Sequence, residues 1–239
     1  MENIILNGCS FIAGHHKKKY SSTTLGYHIK NLSGIEPINL ALHGSGNERM
    51  FRTTYEYLSN NKITNSLVVL GITHWARVEL YDEIKEKFYH VNFWANDFES
   101  ILDEVFTNAK SKYVDNEIKL IDNKEWDSSF LKKFIKFYLA ALKNEKIERE
   151  KIKREIILFE HYCKANNNIL ITFNSLDGAS ESFKSQSYIK IQNYNSWIDI
   201  IETNNLHHSD PNFSGHPNSK SNLQVAKLIL KEYEIRNRH

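Results

Sequence analysis

The residues best equipped for chemistry are Gly8-Cys9-Ser10-Phe11, which directly follow a short apolar run at residues 3–6. A glycine turn at the end of a strand can present a side chain at the sheet edge while its own backbone N–H points into the site. That pairing suits Ser10 as an attacking hydroxyl. Gly8 and Gly14 also bracket a strand-to-helix turn, as in a phosphate loop. However, the interval from Gly8 to Gly14-His15-His16 has one residue too many and lacks the Lys-Ser/Thr pair that grips phosphate. The G-x-G-x-x-G dinucleotide fingerprint is absent.

Three further clusters stand at comparable places. Asn39-Leu40-Ala41-Leu42-His43-Gly44-Ser45-Gly46-Asn47 follows a second candidate strand, and its glycines let backbone N–H groups, that of Gly44 first, approach a ligand closely. Gly71-Ile72-Thr73-His74 follows a third, with Arg77 just beyond, and His74 and Arg77 could meet polar groups of a substrate or bond their own loop. Ser214-Gly215-His216-Pro217-Asn218 immediately precedes the last helical segment and offers His216 as a general base. The neighbouring pair His207-His208 has no carboxylate at ligand spacing and reads as solvated rather than metal-binding.

Taken in order, these blocks resemble the SGNH (GDSL) hydrolase superfamily: a Ser after the first strand, a Gly after the second, an Asn after the third, and a His shortly before the last helix. The resemblance implies Ser10 as nucleophile, Gly44 as an oxyanion donor and His216 as general base, with Cys9 standing where the family usually has Asp. Two positions depart from the pattern. The third block has no Asn after Gly71, so its donor role falls to Thr73, His74 or Asn47; Phe213 occupies the family's Asp position, leaving Asp210 as the nearest acid for His216. The implied fold is a three-layer α/β/α domain with a mostly parallel, doubly wound, flavodoxin-like sheet of about five strands. The implied activity is hydrolysis of carboxylic esters, including O-acyl groups on a carbohydrate, through a Ser10 acyl-enzyme. The expected partner is a small-molecule or glycan ester, and no cofactor or metal is expected. The alternatives are an SGNH-fold protein that binds or assembles glycans without turnover, and an O-acyltransferase.

The elements that would position these residues can be read from periodicity. Residues 3–6, 38–42 and 66–72 are apolar runs of strand length, and residues 23–32 and the stretch through Met50, Phe51, Tyr55 and Leu58 carry apolar residues at helical intervals, with Asn47 a plausible N-cap. Three strand–loop–helix units in succession predict a parallel sheet with its ligand site outside the strands' C-terminal ends. Residues 77–93 alternate in the manner of a hairpin or irregular insertion, and residues 98–106 read as helical. Residues 126–165 form a long helical region broken near Asn144, whose polar portion at 145–154 reads as solvated or at a subunit contact. Residues 169–173 give a fourth strand, 188–191 a fifth, and 221–233 a final helix. The whole reads as a single domain over residues 1–239 with an insertion around 75–165.

Composition sets outer limits on this picture. With 41% hydrophobic and 25% charged residues, the chain has ordinary globular usage. A net charge of +2 with both signs interspersed gives no field suited to nucleic acid. Lys17-Lys18-Lys19 is the one basic run near the site and reads as a solvated loop. Cys9 and Cys163 are the only cysteines and share no metal-ligand spacing, so neither a disulfide nor a zinc site is expected. No signal-peptide pattern opens the chain and no run of about twenty apolar residues occurs. The expectation is therefore a cytoplasmic protein with no membrane partner.

Overall fold

The computed structural model describes residues 1–14, 24–82, 87–91, 144–176, 185–191, 194–209 and 215–238. Its centre is a four-stranded, all-parallel sheet in the order β2-β1-β3-β6, made of β1 (Ile4–Asn7), β2 (Ile38–Asn39), β3 (Leu67–Ile72) and β6 (Ile169–Asn174). β1 and β3 are buried along their whole length, as expected of parallel strands covered on both faces. Register is fixed by Ile5 opposite Val68 and by Val69 opposite Ile171.

Because successive strand side chains point to opposite faces, the sheet has two separate cores. Ile4, Leu6, Val69, Ile171 and Phe173 pack with Leu25 and Ile29 of α2 (Leu25–Ser33), Trp197 and Ile200 of α5 (Trp197–Thr203), and Val225 and Ile229 of α6 (Ser219–Arg236). On the other face, Ile5, Val68, Leu70 and Leu170 meet Met50, Phe51 and Leu58 of α3 (Asn47–Asn60) and Ile152, Ile156, Phe159 and Cys163 of α4 (Glu145–Ala165). With the single turn α1 (Ser10–Ala13), these are the six helices among the described residues. The arrangement is α/β in three layers. It reverses direction between β1 and β3, since β2 lies beyond one and β6 beyond the other. Such a switch point opens a crevice at the strands' C-terminal ends, where Ser10 sits.

Several elements differ from the sequence expectations. β2 spans only Ile38–Asn39 rather than residues 38–42, although Leu40 N still donates to Leu6 O at 2.8 Å and Leu42 N to Gly8 O at 3.2 Å. The Asn39 side chain bonds locally, its Oδ1 accepting from Ala41 N at 3.0 Å and its Nδ2 donating to Ile12 O at 3.1 Å. Asn47 is not the cap of α3 but its first residue, after Gly46. Residues 188–191 make no strand; Tyr188 forms a single parallel bridge to Thr172 at the far edge of the sheet. Helix α5 was not foreseen, although Ser196 and Asp199 form a full capping box in front of its apolar face.

Residues 78–82 and 87–91 are β4 (Val78–Asp82) and β5 (Lys87–Val91), an antiparallel pair in agreement with the hairpin reading. Asn144 caps α4, as the expected break there implies, but the helix presents Ile152, Ile156, Phe159 and Cys163 to the sheet instead of lying on the surface throughout. The helical readings at 98–106 and 126–143, and the Lys17-Lys18-Lys19 run, lie outside the described residues. Among the described residues no helix is long and apolar enough to cross a membrane.

At the C-terminal edge the backbones approach so closely that side chains are excluded. Gly8 has φ +154°, and a Cβ there would stand 2.9 Å from Gly71 O; a Cβ on Gly71 would overlap Ser175 Oγ and Ile12 Cδ1. Overpacking of this kind costs about 1–3 kcal/mol. Gly71→Ala is accordingly expected to lower unfolding free energy by about that amount in urea denaturation, with the slope unchanged. A midpoint equal to wild type would show that Ile12 and Ser175 do not pack against Gly71 as described.

Candidate active site

Ser10 occupies the first position of α1, where N–H groups have no intrahelical acceptor, and is 7% exposed. Its Oγ lies 2.8 Å from His216 Nε2, across 206 residues of chain. The two residues that the sequence offered as nucleophile and base are therefore in hydrogen-bond contact.

His216 is held by its backbone and by its ring. Residues 206–208 run antiparallel to residues 216–218: His208 N donates to His216 O at 2.8 Å, Asn218 N donates to Leu206 O at 2.9 Å, and His207 bridges Pro217. Asn218 then caps α6, its Oδ1 accepting from Ser221 N at 3.0 Å. The imidazole meets Phe11 edge-on with centroids 5.4 Å apart, and Phe11 in turn meets Trp197 at 5.8 Å. Trp197 Nε1 donates to Ser221 Oγ at 2.7 Å, which closes a ring from helix cap through aromatics back to the histidine. Asp210, the acid expected to orient His216, lies outside the described residues.

No protein-family model matches the chain, and no curated protein matches it.

The loops after β2 and β3 bring together four of the five residues expected around the oxyanion and substrate. Gly44 adopts φ +71°, in the region glycine favours, and nothing stands within 4 Å of where its Cβ would be. Asn47 Nδ2 donates to Thr73 O at 3.0 Å while its Oδ1 accepts from Thr73 N at 2.9 Å, so its amide holds the Thr73 peptide groups. Thr73 is fully buried, and its Oγ1 accepts from Arg77 Nη1 at 2.8 Å. His74 is turned to its own loop, with Nδ1 accepting from Ala76 N at 3.1 Å and the ring 5.3 Å from Trp75.

Other residues that matter here were not singled out from sequence. Ser45 is fully buried and its Oγ donates to Gly8 O at 3.1 Å, which ties the Gly44 turn to the loop that carries Ser10. Asn7 Oδ1 accepts from Gly8 N at 2.8 Å. Its Nδ2, with two hydrogens to share, lies 3.0 Å from Met50 O and 2.9 Å from Thr53 Oγ1 and Thr54 Oγ1, which fastens the start of the same loop to α3. A polar residue ending a buried strand was the available signal, since a buried amide requires partners.

A cavity of about 750 Å³ lies between α3 and α4, lined by Phe51, Tyr55, Trp75, Phe159 and Tyr162 among others. Asn47 and Arg77 reach its wall, but neither Ser10 nor His216 lines it. The Ser10–His216 contact and this cavity are therefore separate features. Among the described residues, no group of three His, Cys, Asp or Glu gathers closely enough to hold a metal ion.

Cys9, although next to Ser10, is fully buried, and Cys163 is buried in the opposite core. Burial pushes the Cys163 thiol up to about 12, with the Glu160 carboxylate adding to the rise. Thiolate rather than thiol is the reactive form. Iodoacetamide at pH 8 is therefore expected to leave both cysteines unmodified in the native protein and to alkylate both in urea, as read by intact mass. Rapid native alkylation of Cys9 would overturn its placement in the core.

Proposed function

We propose that this chain is a serine hydrolase of SGNH type that cleaves carboxylic esters, with Ser10 as nucleophile and His216 as general base. The observation that carries the reading is the 2.8 Å contact between Ser10 Oγ and His216 Nε2 at the C-terminal edge of a parallel sheet. A serine hydroxyl is a weak nucleophile until a base in hydrogen-bond contact accepts its proton. In the proposed reaction His216 Nε2 takes that proton as Oγ attacks the ester carbonyl. The N–H groups of Ser10 and Gly44 receive the negative charge on the carbonyl oxygen. His216 then gives the proton to the departing alcohol. Water, deprotonated by the same nitrogen, attacks the acyl-Ser10 ester and releases the acid.

The order of the strands and the bridge at Tyr188, which marks a fifth place beside β6, favour the SGNH assignment for the fold. An acyl group on a carbohydrate is the substrate class that comes with that assignment. The contact of Ser10 with His216 favours turnover over a fold kept only for binding glycans. Acyl transfer to a sugar would use the same acyl-enzyme and differ only in the acceptor.

The test combines fluorophosphonate labelling with hydrolysis of p-nitrophenyl acetate. Wild type is expected to label once and to turn over. Ser10→Ala should not label, and Ser10→Ala and His216→Ala should each lose about 10³-fold or more in kcat. A folded wild type that is neither labelled nor active would sink the proposal, and turnover that survives Ser10→Ala would remove its nucleophile.

A further inference from the structure

We infer that Arg77 is a positioning residue for acyl transfer, holding the Gly44 turn in place from the loop after β3. The inference rests on the hydrolase reading, because it concerns a backbone N–H that the reading assigns to the oxyanion. An oxyanion donor helps only if it is fixed before charge develops, since a donor that must be ordered during the reaction returns the gain as reorganisation.

The local structure leaves Gly44 unusually dependent on its neighbours. β2 ends at Asn39, and beyond it the segment leading to the turn is tied to the β1 side by two backbone bonds, Leu40 N to Leu6 O and Leu42 N to Gly8 O. Gly44 has no side chain, and no atom would touch one if it had. Its position is therefore set from two sides. From the β1 side, Gly8 O accepts from Leu42 N at 3.2 Å and from Ser45 Oγ at 3.1 Å. From the β3 side, Arg77 Nη1 lies 2.8 Å from Thr73 Oγ1 and 3.5 Å from Ser45 O. The second distance is long for a hydrogen bond, but a full positive charge at that range still orients a carbonyl dipole. Thr73 is itself pinned by Asn47, so Arg77 pulls against a fixed point.

Two further observations support the assignment. The backbones of the two loops touch: a Cβ on Gly46 would stand 2.9 Å from Arg77 O, so a shift of the Arg77 loop is felt in the turn. Arg77 Nε is also buried without a hydrogen-bond partner among the described residues. A buried, unpaired N–H on a cation costs stability. Stability alone therefore does not account for an arginine at this position.

The test compares wild type with Arg77→Ala, Arg77→Lys and Thr73→Val. Four readouts are used: kcat for p-nitrophenyl acetate per fluorophosphonate-titrated site, KM, the pH midpoint of kcat/KM, and hydrogen exchange at residues 42–46 by mass spectrometry. Counting only titrated sites removes losses due to misfolding. Arg77→Ala should lower kcat per site about tenfold or more, as expected for a misplaced catalytic group, with KM within about twofold. The pH midpoint should not move, because His216 is untouched. Exchange in the turn should quicken, Thr73→Val should reproduce part of both effects, and Arg77→Lys should recover part of the loss. Unchanged kcat per site in Arg77→Ala, or unchanged exchange at residues 42–46, overturns the inference and leaves the hydrolase reading standing. A wild type inert to the probe and the ester, with exchange in the turn still dependent on Arg77, overturns the hydrolase reading and reduces Arg77 to a structural brace.

Discussion

The structure depends on how closely the backbone ends of β1 and β3 approach each other. A Cβ on Gly8 would meet Gly71 O, and a Cβ on either glycine would meet Ile12 of α1, so their absence lets the chain turn from β1 straight into α1 above β3. A longer connection would carry Ser10 away from the sheet edge, and a side chain at either glycine would push α1 outward. The side-chain ties then act on a loop whose path is already set. Asn7 fastens its start to α3, Ser45 joins its Gly8 carbonyl to the Gly44 turn, and His216 meets Ser10 from the far end of the chain.

The loops around the site are held by reciprocal polar contacts, of which the Asn47–Thr73 pair is the clearest. Asn47 both donates to and accepts from the Thr73 backbone, in the way that a neighbouring strand would, and so extends order beyond the end of β3. Buried amides are stabilising only when both ends are used, since a half-satisfied one costs more than it returns. The same economy appears on the histidine side. The residue that caps α6 lies two positions after His216, so the helix terminus and the placement of His216 are fixed by one short segment.

The sheet was legible in the sequence because its three longer strands are mostly apolar, and residues 67–72 leave little else to consider. Ser10 and His216 were legible as residue types in order, but only coordinates could show that they touch. The failures share a cause. Asn47 satisfies the local rule for a helix cap, yet its amide is taken by Thr73, 26 residues away, and no local rule sees that partner. Residues 38–42 read as one strand because Leu40, Ala41 and Leu42 look extended, whereas regular pairing with β1 ends at Asn39. Helix α5 was the avoidable miss: Ser196 and Asp199 write its start plainly, but a seven-residue helix offers too short a pattern to register as periodic.

The brevity of β2 has a consequence for association as well as for the site. A sheet edge with free N–H and C=O groups is a template on which another chain can add a strand, and proteins blunt such edges by shortening, bending or charging them. Here only Ile38 and Asn39 pair in register with β1, and beyond them the Leu40 and Leu42 N–H groups keep single bonds to the β1 side. The early end of regular pairing that gives over residues 40–46 to a loop thus also shortens the edge on which a foreign strand could lengthen the sheet.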